Sequence, residues 1–307
     1  MHRPRIVIIT GPTAVGKSSL GYRLAQEVKG EIINADSMQV YRYMDIGTDK
    51  PSSAEQKQIP HHLIDVVDPD QPFDVSDFRM HARSIIEDLS LRQVPILVIG
   101  GTGLYLRVLQ RGIFLCPKPK ADIRERWRKK SKALGSEFLW ETLKEQDPLA
   151  AGRIHPRDTY RVIRALEVLE LTGRPISEWH QWEQGAEPDY EILWIGLFLA
   201  REVLYRKINS RTEEMMAKGF LGEVQGLLEK GYSPELKSMK SLGYRHLASV
   251  LQGRLDLEEA LDLLKRDTRH YAKRQLTWLS RESNLNWFSP EEFDKIRLKV
   301  IEFFNCL

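Results

Sequence analysis

The chain has 307 residues, enough for one large α/β core and a second, smaller unit, and its 42% hydrophobic and 29% charged residues exclude a disordered or fibrous protein. With a net charge of only +3, any affinity for a polyanion must come from local clusters of Lys and Arg. The two cysteines, Cys116 and Cys306, lie far apart and form no CxxC pair, which argues against a disulfide framework or a cysteine zinc site and fits a reducing cytosol.

The first apolar run, Arg5 to Thr10, is too short and too soon broken by Gly and Pro for a signal peptide, and no stretch reaches membrane-spanning length. It reads as a strand feeding GPTAVGKS, followed by a helix over 18–28. Glu31 to Ala35, His62 to Val67 and Val94 to Ile99 read as further short, mostly apolar strands of a parallel sheet. After Gly112 the pattern becomes charged and helical until EILWIGLFL, Glu191 to Leu199, returns a strand. The remainder reads as helical, with Gly219, Gly231 and Gly243 as helix stops. The expected fold is α/β, a P-loop doubly wound parallel sheet with a helical insertion domain: 1–117 and 191–307 form the core and 118–190 the insertion.

Gly11, Pro12, Thr13, Ala14, Val15, Gly16, Lys17 and Ser18 fit GxxxxGKS between a strand and a helix. Consecutive backbone N–H groups there face an anion at a helix N-terminus, Lys17 adds a mobile positive charge, and the Ser18 hydroxyl can hold Mg²⁺. A phosphate cradle alone does not name a reaction. A kinase or ATPase would add a strand ending in an acid, but VPILVIGG runs into GGTGLY, where Gly100, Gly101, Thr102 and Gly103 make a second backbone-accessible turn. Asp36 follows the second strand at the same sheet edge, with Ser37 and Gln39 behind it, and could accept a proton from an incoming nucleophile. His61 and His62 have no metal-ligand spacing and read as core or turn residues.

The insertion opens on a basic run, KPKADIRERWRKKSK, with Lys118, Lys120, Arg124, Arg126, Arg128, Lys129, Lys130 and Lys132 around Trp127. Further on, helical spacing puts Arg157, Arg161 and Arg164 on one side and Val162, Leu166 and Leu169 on another.

Taken together, GPTAVGKS, NADSMQVYRYMDIGTDKP, PHHLIDV, GGTGLY and TRHYAKRQLTW resemble the tRNA dimethylallyltransferase family from about Ile6 to about Trp278. The resemblance implies transfer of a prenyl group from dimethylallyl diphosphate to the N6 amine of the adenosine immediately 3′ of the anticodon of a tRNA partner; beside it, the cysteine usage points to the cytoplasm, the phosphate loop to Mg²⁺ as cofactor, and a monomer is the simplest expectation. It implies Asp36 as the base, Lys17 and Arg211 on the diphosphate, and Thr102 against the reacting groups and the RNA. Asp36, Ser37, Met38 and Gln39 would read the flipped base, while Arg124 and the stretch Tyr160, Arg161, Val162, Ile163 and Arg164 would meet the anticodon arm. The chain departs from the family in having Tyr160 where Gln is usual, and Leu279 and Ser280 where Phe and Arg usually follow TW. Three rivals stand beside this reading: an isopentenyltransferase acting on free AMP, ADP or ATP, a P-loop small-molecule kinase, and a nucleotide-gated RNA-binding module.

Overall fold

A computed structural model describes residues 3–111, 120–183 and 189–305. The chain divides into two compact units, Met1–Gln110 with Asp189–Leu307, and Arg111–Pro188. In chain order the first unit contains β1 (Arg5–Thr10), α1 (Lys17–Val28), β2 (Glu31–Asn34), α2 (Ser53–Gln58), β3 (His61–His62), α3 (Val75–Leu91), β4 (Ile96–Ile99) and α4 (Gly103–Arg111). The second contains α5 (Ala121–Gln146), α6 (Pro148–Ala151), α7 (Thr159–Thr172) and α8 (Ile176–Glu183). The first unit resumes with β5 (Glu191–Leu197), α9 (Arg201–Ala217), α10 (Phe220–Glu229), α11 (Tyr244–Leu251), α12 (Leu257–Leu279), β6 (Leu285–Phe288) and α13 (Phe293–Asn305). Among the described residues no helix is long and apolar enough to cross a membrane.

All strands run parallel in one six-stranded sheet of order β3-β2-β4-β1-β5-β6. Helices cover both faces of such a sheet, which is why β1 and β4 are continuous apolar runs rather than alternating ones. Because β4 inserts between β1 and β2, the turns after β1, β2 and β4 converge at one carboxyl edge, the place where open α/β sheets bind ligands.

The third strand is shorter than His62 to Val67, because Leu63 and Asp65 take φ of 62° and 55° and end the extended run. Residues 65–67 bond instead to the loop after β2, through Val66 N to Val40 O at 2.8 Å and Arg42 N to Val67 O at 2.9 Å. The expectation that everything after β5 is helical is also corrected. Leu285–Phe288 adds an edge strand beside β5, and Asn286 donates its side-chain amide to Trp194 O at 3.0 Å. Gly219 and Gly231 follow the ends of α9 and α10 with φ of 94° and 90°, but Gly243 opens α11 rather than closing a helix. The transitions expected at 112, 117/118 and 188 fall outside the described residues, as does Lys118.

The long segment after β2 is shaped by buried charges. Lys50, with 3% of its side chain exposed, donates to Tyr41 O at 2.9 Å and to the carboxylates of Asp65 at 2.6 Å and Asp45 at 2.5 Å. From α10, Glu223 accepts the backbone N–H groups of Asp45, Ile46 and Gly47 at 2.9, 2.7 and 3.1 Å, and the Tyr244 hydroxyl at 2.6 Å. Gly47 is required here, since a Cβ would sit 2.3 Å from the Phe220 ring.

The second unit has its own core, in which Leu139 and Leu143 of α5 meet Val162, Ile163, Ala165 and Leu166 of α7. Asp147, 2% exposed, accepts from Ala150 N and Ser177 N at 3.0 Å each and so ties α6 to α8. Arg157 lies in a turn before α7, off the helix that was expected to carry it.

Glu223→Ala should remove the acceptor of three backbone donors and lower unfolding stability by about 3 kcal/mol in urea titration. A change below about 1 kcal/mol would show that the loop over 45–47 holds itself.

Candidate active site

The turn after β1 is forced into shape by backbone geometry. Gly11 and Gly16 have φ of 151° and 102°, Ala14 has φ of 64°, and a Cβ on Gly11 would lie 2.6 Å from Leu197 O of β5. Val15 is fully buried, so its side chain serves the core and only its backbone can serve an anion. Lys17 opens α1 and donates its Nζ to Pro12 O at 2.8 Å. Burial, reinforced by the nearby Arg211 and opposed by Asp36 and Asp49, pulls the Lys17 ammonium down to about 8.

The turn after β2 is an Asx turn. Asp36 N donates to Asn34 Oδ1 at 3.1 Å, and Asp36 Oδ1 accepts Met38 N at 2.8 Å. Ser37 N donates to Thr102 Oγ1 at 3.0 Å, so Thr102, in the turn after β4, holds the Asp36 turn in place. Thr102 itself lines neither cavity described below.

Two adjoining cavities meet at this edge. The smaller, about 80 Å³, is lined by Thr13, Lys17, Ser18, Asp36, Asp49 and Arg211 among others. The larger, about 340 Å³, adds Met38, Ile208, Met215, Phe220, Leu242 and Leu264 and is mostly apolar. Thr13, Asp36, Thr48, Arg211 and Tyr271 line both. Ser37 and Met38 face the larger cavity. Gln39 lines the smaller cavity and is 8% exposed, and it gives its amide N–H to Thr48 O at 3.1 Å and Asp49 O at 3.3 Å, which ties the loop to the cavity wall. His61 lines the smaller cavity, and burial lowers its pKa.

Arg211, from α9, donates Nη1 to Thr13 Oγ1 at 2.9 Å, while its Nε is buried without a hydrogen-bond acceptor, 3.6 Å from Asp49 Oδ2. Sequence reasoning missed Asp49 and Tyr271 and gave Gln275 no place at the phosphate site. The last two, with Trp278, share one face of α12 at i, i+4 and i+7. Gln275, 4% exposed, accepts Thr13 N at 2.8 Å and donates to Gly101 O at 3.0 Å, bridging two glycine turns. A Cβ on Gly101 would lie 2.2 Å from Gln275 Nε2 and push it off Gly101 O, and one on Gly103 would lie 2.6 Å from the Trp278 ring. The stretch Lys273 to Trp278, part of the TRHYAKRQLTW run, thus contributes Gln275 to the site. The signal was legible in the helical spacing of Tyr271, Gln275 and Trp278.

In the second unit, Tyr160 and Arg161 are exposed at 69% and, for the Arg161 side chain, 70%. Arg124 donates to Glu167 at 2.9 Å with its guanidinium 5.8 Å from the Tyr160 ring. Val162 and Ile163 are 0% and 6% exposed and belong to the core, which corrects their expected place on the RNA-facing surface. Among the described residues no group of three or more His, Cys, Asp or Glu could hold a metal ion on protein ligands alone.

The family model described as IPP transferase matches residues 39–282, and one described as isopentenyl transferase matches 4–66. The chain belongs to the IPP transferase family. It is 48% identical to tRNA dimethylallyltransferase 2 of Geotalea uraniireducens, over 98% of this chain and 97% of that one. It is 46% identical to tRNA dimethylallyltransferase of Geobacter metallireducens, over 99% of each. The crystal structure of tRNA isopentenylpyrophosphate transferase from Bacillus halodurans superposes with TM-score 0.73 at 37% identity, covering 98% of this chain and 97% of that one. A eukaryotic dimethylallyltransferase, caught acting on tRNA, superposes with TM-score 0.83 at 28% identity, covering 97% of this chain and 77% of that one. This IPP transferase chain is therefore a transferase whose P-loop sheet edge adjoins an apolar cavity.

Because Lys17 is held near 8, it is charged below that pH and loses its charge as pH rises through it. Affinity for inorganic diphosphate should fall about tenfold between roughly pH 7 and pH 9 by calorimetry. Lys17→Arg, which stays charged, should flatten that fall; an equal fall in the variant would clear Lys17 of responsibility.

Proposed function

We propose that the chain transfers a dimethylallyl group from dimethylallyl diphosphate to the N6 amine of the adenosine immediately 3′ of the anticodon, in tRNAs that read codons beginning with U, releasing diphosphate. The observation that carries this reading is the pair of adjoining cavities, the smaller lined by Lys17 and Arg211 and the larger mostly apolar, with the Asp36 carboxylate shared between them.

The diphosphate occupies the smaller cavity, against the backbone amides after β1, Lys17 and Arg211. The five-carbon tail extends among Met38, Met215, Phe220 and Leu264. As the bond between the allylic carbon and the diphosphate oxygen breaks, its electron pair goes to the leaving group, whose growing charge the fixed amides and the two cations stabilise. The adenine N6 lone pair forms the new C–N bond, and the N6 proton passes to Asp36. Tyr271, whose phenol is kept protonated by burial and the nearby Asp36, walls the junction. The apolar lining excludes water, which would otherwise capture the allyl unit.

The Ser18 hydroxyl and the Asp49 carboxylate line the same small cavity, a donor set suited to Mg²⁺ that takes its other ligands from the diphosphate and water. When bound there, Mg²⁺ supplies further neutralisation of the leaving group. On the RNA side, Tyr160, Arg161, Arg124 and Arg164 give the insertion a basic and aromatic surface suited to the anticodon arm.

The reading is tested by incubating the chain with radiolabelled dimethylallyl diphosphate and either an anticodon stem-loop or free AMP. Label should enter the stem-loop alone; incorporation into AMP at a similar rate would replace the RNA reading by a nucleotide one. Asp36→Asn should slow single-turnover transfer roughly a hundredfold or more while leaving the donor KM within a few-fold. Turnover close to that of the unaltered chain would remove Asp36 from the chemistry.

A further inference from the structure

The larger cavity is walled by side chains of two kinds. Met38 and Met215 are unbranched and half-buried, and such chains re-pack around whatever they meet. Phe220 and Tyr244 are 1% and 0% exposed and close the cavity from inside, whereas Lys240, Arg245 and Arg274 line it from exposed positions and mark its mouth. Phe220 does not line the smaller cavity, so it stands back from the junction that holds Asp36 and Arg211.

The Phe220 ring is gripped at its tip. Its Cε2 and Cζ face Gly47, where a Cβ would come within 2.3 Å, and its Cε1 and Cζ face Gly243, where a Cβ would come within 2.6 Å. Two backbones without side chains therefore cup opposite edges of one ring. Tyr244 packs against it edge-on, with 5.0 Å between centroids and 79° between planes. The Tyr244 hydroxyl is itself fixed on Glu223, the carboxylate that also accepts Gly47 N. Phe220 can neither swing nor retreat without breaking this packing.

We propose that Phe220 sets the length of the prenyl tail: the locked ring ends the cavity behind a five-carbon chain and excludes a ten-carbon one, while the methionines adjust its width. The proposal rests on the reading that the tail of the donor occupies this cavity. A single methylene too many in an apolar pocket already costs about 10- to 200-fold in discrimination. Five further carbons would have to drive Phe220 into a close-packed core, which resists overfilling.

The experiment is calorimetric binding of inorganic diphosphate, dimethylallyl diphosphate and geranyl diphosphate to the full chain, alone and beside an anticodon stem-loop whose target base lacks the N6 amine, so that nothing is consumed. Dimethylallyl diphosphate should bind more tightly than inorganic diphosphate, and geranyl diphosphate at least about tenfold more weakly than the dimethylallyl compound. Phe220→Ala should raise the affinity for geranyl relative to dimethylallyl diphosphate about a hundredfold, and Phe220→Leu should raise it less. Met215→Ala widens a side wall and should shift the two donors by the same factor. Phe220→Leu stands in if the Ala variant does not fold, and the comparison of donors on the unaltered chain needs no variant. Equal affinity of the unaltered chain for the two donors would overturn the proposal and leave the transfer reading standing. A donor preference unmoved in the folded Phe220 variants would overturn it too, as would an equal gain for geranyl diphosphate from Met215→Ala, because the limit would then lie in another wall. Should both donors bind no better than inorganic diphosphate, the tail lies outside this cavity, and its placement falls together with the proposal.

Discussion

One carboxamide joins the parts that have to converge. A leaving diphosphate is stabilised only by donors already in place when its charge grows, and here those donors sit on turns from separate strands. Gln275 closes the gap by accepting Thr13 N from the turn after β1 and donating to Gly101 O from the turn after β4. Thr102, next to Gly101, in turn holds Ser37 of the turn after β2, and so fixes the Asp36 Asx turn. A single helical residue thereby sets the spacing of cradle and base.

The charges at that edge are balanced to favour an anion. Lys17 and Arg211 lie near Asp36 and Asp49, yet burial and mutual repulsion outweigh the two carboxylates at Lys17 and lower its proton affinity. An incoming diphosphate relieves this by supplying the missing negative charge. The buried Nε of Arg211, without a hydrogen-bond acceptor, points to the same need beside Thr13. Asp36 Oδ1 accepts the Met38 amide rather than either cation. It is the carboxylate that faces both cavities.

Much of this was legible in the sequence because the relevant signals are local. GxxxxGKS between a strand and a helix, ADSMQ after the second strand and GGTGLY after VPILVI each encode a turn by composition, and all three fall at the same sheet edge. The parts that escaped depend on distant packing. Four residues of one-sided burial, LNWF, become β6 only because β5 offers a free edge beside Gly196, where a Cβ would meet Leu285 at 2.8 Å. Gly243 looked like a stop but starts α11 under Phe220, 2.6 Å from where its Cβ would be. Val162 and Ile163 sit inside a basic stretch that was assigned to RNA as a block, although the helical period turns two of its five residues into the core.

The missing acid at the end of β4 has a steric cause as well as a chemical one. A Cβ on Gly100 would lie 2.2 Å from Ala35 O of the backbone, and one on Gly101 would displace Gln275 Nε2, 2.2 Å away, from its bond to Gly101 O, so an acid at Gly100 meets backbone and a side chain at Gly101 breaks the bridge. The close approach that excludes it is the one that brings the turn after β2, with Asp36, against the turn after β4. Phosphoryl transfer uses a strand-end carboxylate to organise metal and water beside the terminal phosphate. Here that volume is filled by backbone and by Gln275, and the carboxylate is moved to the rim of an apolar cavity. The close approach that leaves no room for a strand-end acid at Gly100 is therefore the one that sets Asp36 at the rim of the apolar cavity.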